Sequence, residues 1–163
     1  VGRFRNLPDI WAQAESYRNR FAPQRSTADR SVTGLTTSPQ AACMTAKETA
    51  MTLIQRVSRD GTTPETGGPE PDRLISGNPV HTTWTLEERD GLYCGLWQST
   101  PGKWRVSYSE WEYFRILSGY SLLTGADGSV TQLHPGDSLI LRPGFEGTWE
   151  VVQTTLKDYV IRL

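Results

Sequence analysis

The sequence predicts an all-β protein, an antiparallel jelly-roll barrel preceded by an N-terminal arm, and two observations predict it. From Val80 onward, short apolar runs alternate with turn residues every 8–12 positions. Twelve of the sixteen aromatic residues also lie after Pro79, so the material for a core is concentrated in that part of the chain.

The runs are VHTTWTL, LYCGLWQS, KWRVSYS, EYFRILSG, YSLLTG, SVTQLH, SLILR, GTWEVVQ and LKDYVIRL. They are rich in Val, Ile, Leu, Thr, Tyr and Trp, residue types that suit a pleated, half-buried surface. The segment ADG at 126–128 predicts a tight hairpin. HPGD at 134–137 predicts a second turn, in which Pro135 and Gly136 supply the backbone angles and Asp137 caps backbone amides. Eight or nine strands in about 85 residues argue for a small sandwich or jelly roll, with no helix of useful length among them.

The chain before the barrel is unlike it. Residues 1–50 carry seven basic and four acidic residues, whereas 51–163 carry ten basic and fourteen acidic. Pro8 suits a first helical position, and Ile10, Ala14, Tyr17 and Phe21 share one face, so residues 1–22 predict a short amphipathic helix. The Ser-, Thr- and Ala-rich stretch that follows has little to bury and reads as disordered. Three readings of the 1–50 extension stay open: a transit peptide, a partner-docking helix, or a translation artefact upstream of a natural start at Met44 or Met51. Residues 51–73 read as a linker or arm leading into a barrel at 74–163. Four Gly and four Pro over 58–79 interrupt regular structure there.

Composition excludes several classes. A net charge of −1 argues against a nucleic-acid binder. No apolar run is long enough for a membrane helix, and no secretory signal is evident, so the expected location is cytoplasmic. Two cysteines, Cys43 and Cys94, are too few for a disulfide framework, and Cys94 reads as a small buried hydrophobe. No phosphate loop or Ser-His-Asp pattern is present.

The segment EYFRILSGYSLLTGADGSVTQLHPGDSLILRPGFEGTWEV resembles the cupin superfamily, in particular the small cupins related to (S)-ureidoglycine aminohydrolase. The markers are Glu112 with Gly119 seven residues on, the Pro-Gly-Asp turn at 135–137, and Pro-Gly-Phe-Glu-Gly-Thr-Trp at 143–149, with PGKWRVSYSEWE upstream. The resemblance covers residues 74–163. It implies a cupin-type jelly roll and a homodimer.

Metal-binding cupins place His-x-His before this glutamate and a third His after the second motif. In this chain those slots fall on Val106 and Tyr108, or Arg105 and Ser107, and on Gly147. Of that ligand set only Glu112 remains, so no metal or other cofactor is expected. His134 is expected in solvent beside its turn and His81 at a strand end, neither as a ligand.

Strand alternation sends Trp104, Val106, Tyr108, Glu112, Phe114, Ile116, Gly147 and Trp149 inward. The predicted ligand site is therefore Trp104, Tyr108 and Trp149, with space left at Gly147. Glu112 is the candidate general acid or base, because burial among aromatics would disfavour its charge; the alternative is that it bonds Tyr108 and holds the barrel mouth. Glu110 is the candidate second carboxylate, its plainer reading being a solvated turn residue. Arg105 and Arg142 read as surface partners of Glu146 or Glu150, or as contacts to an anionic ligand.

Three functions follow. The first is a metal-poor cupin that binds, or both binds and transforms, a small polar metabolite inside the barrel. The second is a metal-dependent enzyme like ureidoglycine aminohydrolase, an activity the resemblance associates with two barrels and a full ligand set. The third is a structural dimer whose barrel is filled by its own side chains.

Overall fold

The computed structural model describes residues 53–163; the predicted helix over 1–22 and the rest of the 1–50 extension lie outside them. The described residues form nine strands and no helix, so none is long and apolar enough to cross a membrane. The strands are β1 (Glu65–Gly67), β2 (Leu74–Gly77), β3 (His81–Arg89), β4 (Leu92–Ser99), β5 (Gly102–Ser107), β6 (Trp111–Gly125), β7 (Val130–Leu133), β8 (Ser138–Leu141) and β9 (Glu146–Arg162).

Every pairing is antiparallel, and the main path runs β1-β3-β4-β9-β5-β2. β9 is the spine. Its C-terminal half lies between β4 and the start of β6, and its N-terminal half between β5 and the end of β6. β7 and β8 pair with the two halves of β6, and the sheet curls into a half-barrel.

Fewer strands span the barrel than the runs predict, because two pairs of runs fuse. EYFRILSG and YSLLTG form one strand, β6, which bends at Gly119 instead of ending. Gly119 has φ +89°, and a Cβ there would meet the carbonyl of Thr154, so this position needs glycine twice over. The register against β9 shifts three times between Ile116 and Ser121, as a bulge requires. Beneath it the hydroxyls of Ser121 and Thr155 pair at 2.8 Å, satisfying polar groups that the bend buries. GTWEVVQ and LKDYVIRL likewise form the single strand β9.

The inward face carries the core, with Phe114, Ile116, Leu133, Trp149, Val151, Tyr159 and Ile161 nearly inaccessible. Outside, the Arg59 guanidinium lies 5.4 Å from the Trp84 ring and holds the chain before β1 against β3. β1 and β2 occupy opposite margins of the main path, and residues 68–73 join them. This strap turns tightly, since the Glu70 carbonyl accepts the N–H groups of Arg73 and Leu74 at 2.9 and 3.1 Å.

Candidate functional site

One end of the half-barrel holds a cavity under the strap. Its floor comes from alternation: Trp104 and Val106 on β5, Glu112 on β6, and Trp149, Lys157, Tyr159 and Ile161 on β9 all point inward. β3 and β4 add His81 and Trp97, and Pro69, Glu70 and Arg73 of the strap form the rim with Arg105. The Arg105 side chain donates to the Asp72 carbonyl at 3.4 Å, and the Arg105 backbone N–H donates to the Arg73 carbonyl at 2.8 Å. The cavity volume is about 40 Å³, room for a few waters or a ligand of a few non-hydrogen atoms.

At the base of the cavity the Lys157 ammonium donates to Glu112 Oε1 at 2.7 Å, with side chains only 7 % and 3 % exposed. The same nitrogen sits 4.6 Å from the ring centroids of Phe114 and Trp149 and 5.1 Å from that of Trp97. The negative ring faces complement its charge. Tyr108 donates to Glu112; burial first, then the charges of Glu112 and Glu110, push its hydroxyl well above the usual phenol range, so it stays a donor. His81 packs on Trp97 and Trp104, and burial, aided by the Lys157 charge, lowers its pKa to about 4. It is a neutral imidazole at physiological pH. Burial also pushes Tyr159 up to about 12.

Residues 86–159 match the model of the EutQ-like cupin domain. The barrel has the cupin fold. A protein of unknown function of the DUF861 family from Pseudomonas syringae pv. tomato superposes on 61 % of this chain with a TM-score of 0.56 and 25 % identity. This chain spans 43 % of that protein's length. The EutQ protein of Clostridium difficile matches with a TM-score of 0.48 at 21 % identity, over 59 % of this chain and 79 % of its own. Ectoine synthase from P. lautus matches with a TM-score of 0.48 at 12 % identity, over 57 % of this chain and 70 % of its own. No curated protein matches the sequence.

Of the candidate site residues, the barrel brings Trp104, Tyr108, Glu112 and Trp149 together around the cavity. Gly147 is not among them, and the expected space there is closed: a Cβ would run into the carbonyl of Thr124 on β6. The missing side chain makes room for a neighbouring strand. Glu110 also lies off the cavity, and it is not solvated. At 3 % exposure it accepts the Ser109 N–H at 2.9 Å and the Ser109 hydroxyl at 3.1 Å, while its second oxygen has no partner. Burial raises its pKa against those hydrogen bonds.

His81 lies at its strand end as expected, but it is only 7 % exposed and faces the cavity. His134 is exposed, stacked on Tyr120 at 4.9 Å, and its N–H donates to Asp137 at 2.7 Å across the turn. Lys103, not Arg105, pairs with Glu150, at 2.9 Å. Lys157 and Trp97 escape a motif-based reading, but parity would have found them: Lys157 alternates with the buried Thr155, Tyr159 and Ile161.

The donor set does not fit the transition metal of metal-binding cupins. The histidine slots hold Val106, Tyr108 and Gly147, and Glu112 faces an ammonium at 2.7 Å. Among the described residues no three His, Cys, Asp or Glu converge as ligands. The chemistry available here is that of a carboxylate, an ammonium, a phenol and a neutral imidazole within aromatic walls.

Proposed function

We propose that this cupin binds a small polar metabolite at the barrel mouth and that Glu112 serves as its acid–base group, without a transition metal. The observation that carries this reading is the Glu112–Lys157 pair, buried at 2.7 Å yet bordering a cavity. Burying two charges is costly, and a well-packed apolar pair would serve stability as well or better. Ionisable groups retained at that cost inside a concave, aromatic-lined site are the usual mark of ligand chemistry. Arg73 and Arg105 at the rim, with Lys157 below, outnumber Glu70 and Glu112 around the cavity, so an anionic metabolite suits it best.

The test is a thermal-shift panel on the full chain with small anionic, neutral and cationic metabolites. A ligand that binds the native state raises Tm by an increment that grows with the logarithm of its concentration relative to Kd. The expected result is a rise with one or more small anions that Trp104→Ala abolishes. No response to any class would instead support the reading of a barrel filled by its own side chains, which the small size of the cavity favours. The aminohydrolase-like reading has no observation in its favour at this site.

A further inference from the structure

The Lys157 ammonium has a complete set of partners, all supplied by the barrel itself. One N–H points to Glu112, and three ring faces surround the rest at 4.6 to 5.1 Å. A carboxylate closing an aromatic box is how proteins bind organic ammonium ions from outside. In this chain the guest is covalently attached.

The attachment is long. The Lys157 backbone pairs with Ile116 on β6 and Trp97 on β4, whereas its charge lies at Glu112, four residues from Ile116 along β6. At roughly 3.3 Å per residue that separation is about 13 Å along the strand. The Lys157 and Glu112 side chains span it together, reaching toward each other and meeting over Phe114. The box is thus assembled by Trp97, Phe114, Trp149 and Glu112, from β4, β6 and β9, independently of the residue whose charge fills it.

The box is also selective by construction. Divalent transition metals require several N, O or S donors at one point, and this box offers one carboxylate. Ring faces suit a compact monovalent cation, whose desolvation costs far less than that of a divalent ion, and a guanidinium is too flat to meet three of them at once.

We propose that Lys157 is a resident cation: it fills a cation site built from Glu112, Trp97, Phe114 and Trp149, and that site, once freed of the lysine side chain, takes up a small primary ammonium ion in preference to a divalent metal. The misfit between this barrel and a metal centre then has a cause. The position beside Glu112 is already held by a single fixed positive charge. This assignment is independent of whichever metabolite the cavity takes, and the two fail separately, one in the wild-type ligand panel and the other in variant rescue.

The test uses full-length wild type, Lys157→Ala, and Lys157→Ala combined with Glu112→Gln, followed by Tm and by tryptophan emission, since two walls of the box are indoles. The Lys157→Ala variant is expected to melt well below wild type. Ethylammonium chloride should restore at least half of the lost Tm and shift the emission. Sodium acetate and manganese chloride should do neither, and the double variant should not respond. Wild type should be indifferent to ethylammonium and should bind no stoichiometric manganese or zinc.

A folded Lys157→Ala protein that ignores ethylammonium would overturn the proposal. So would wild-type metal binding that Glu112→Gln abolishes. Should Lys157→Ala not fold unaided, refolding with ethylammonium but not with sodium acetate supports the site. Failure with both salts, while Lys157→Met combined with Glu112→Gln folds, refutes it.

Discussion

His81 and Trp104 pack with ring centroids 4.7 Å apart and planes tilted by 55°, and this contact holds an imidazole in the dry wall of the cavity. Its folded pKa is about 4, against 6.5 for the free side chain. The unfolded chain therefore binds a proton below pH 6.5 that the folded protein refuses until about pH 4. Neutral His81 is fully compatible with folding above pH 6.5, and stability falls across that window as pH drops. The expected loss is about 3 kcal/mol, at 1.36 kcal/mol per pKa unit. Denaturant melts from pH 7 to pH 4 should show this slope, and His81→Gln should flatten it.

Glu110 works in the opposite direction. Burial raises its folded pKa, so the folded state keeps a proton that the unfolded chain gives up, and stability declines as pH rises through the carboxylate range. Glu110→Gln removes that charge while keeping an acceptor for Ser109. The variant should be more stable than wild type at pH 7, and the difference should vanish in acid. Chemical denaturation at the two pH values reads it directly.

Glu112 and Lys157 should show strong thermodynamic coupling. Removing one partner leaves the other charge buried, so Glu112→Gln or Lys157→Met alone should cost about 3–5 kcal/mol. The combined variant should cost less than either single change. A double-mutant cycle by urea denaturation measures the coupling, and simple additivity would contradict the buried pair.

Gly147→Ala tests the closed slot. The new methyl meets the Thr124 carbonyl, so β6 and β9 must separate locally. A loss of about 1–3 kcal/mol in urea is expected, in the range of other overpacked cores. The same substitution at Gly128, whose cost is backbone conformation alone because nothing lies within 4 Å, should be milder.

Much of the barrel was legible because alternation is a local property. Trp104, Tyr108, Glu112 and Trp149 could be placed inward from strand parity, and they meet around one cavity. Gly147 shares that parity, yet whether its slot is empty depends on how closely β6 passes, which no spacing within β9 records. Glu110 looked like a solvated turn residue because a charged residue next to Ser usually is one; its carboxylate instead folds back onto the Ser109 amide. Lys157 was missed for a different reason. A charged residue in a strand ordinarily faces solvent, yet the parity of Lys157 with Thr155 and Tyr159 points inward, and its ammonium pairs with a carboxylate two strand levels from its own backbone. The fusion of two runs into β6 turns on Gly119, which punctuates a sequence but in this fold bends a strand.

The strap has a mechanical consequence. Hydrogen bonding leaves the main path open-ended, with β1 at one margin and β2 at the other, but the covalent chain closes the circuit through residues 68–73. Six residues reach at most about 20 Å. The perimeter of the mouth is consequently fixed by chain length rather than by any ladder, as a drawstring fixes the neck of a bag. Each residue inserted there lets the rim widen, and each one deleted pulls β1 from β3 or β2 from β5.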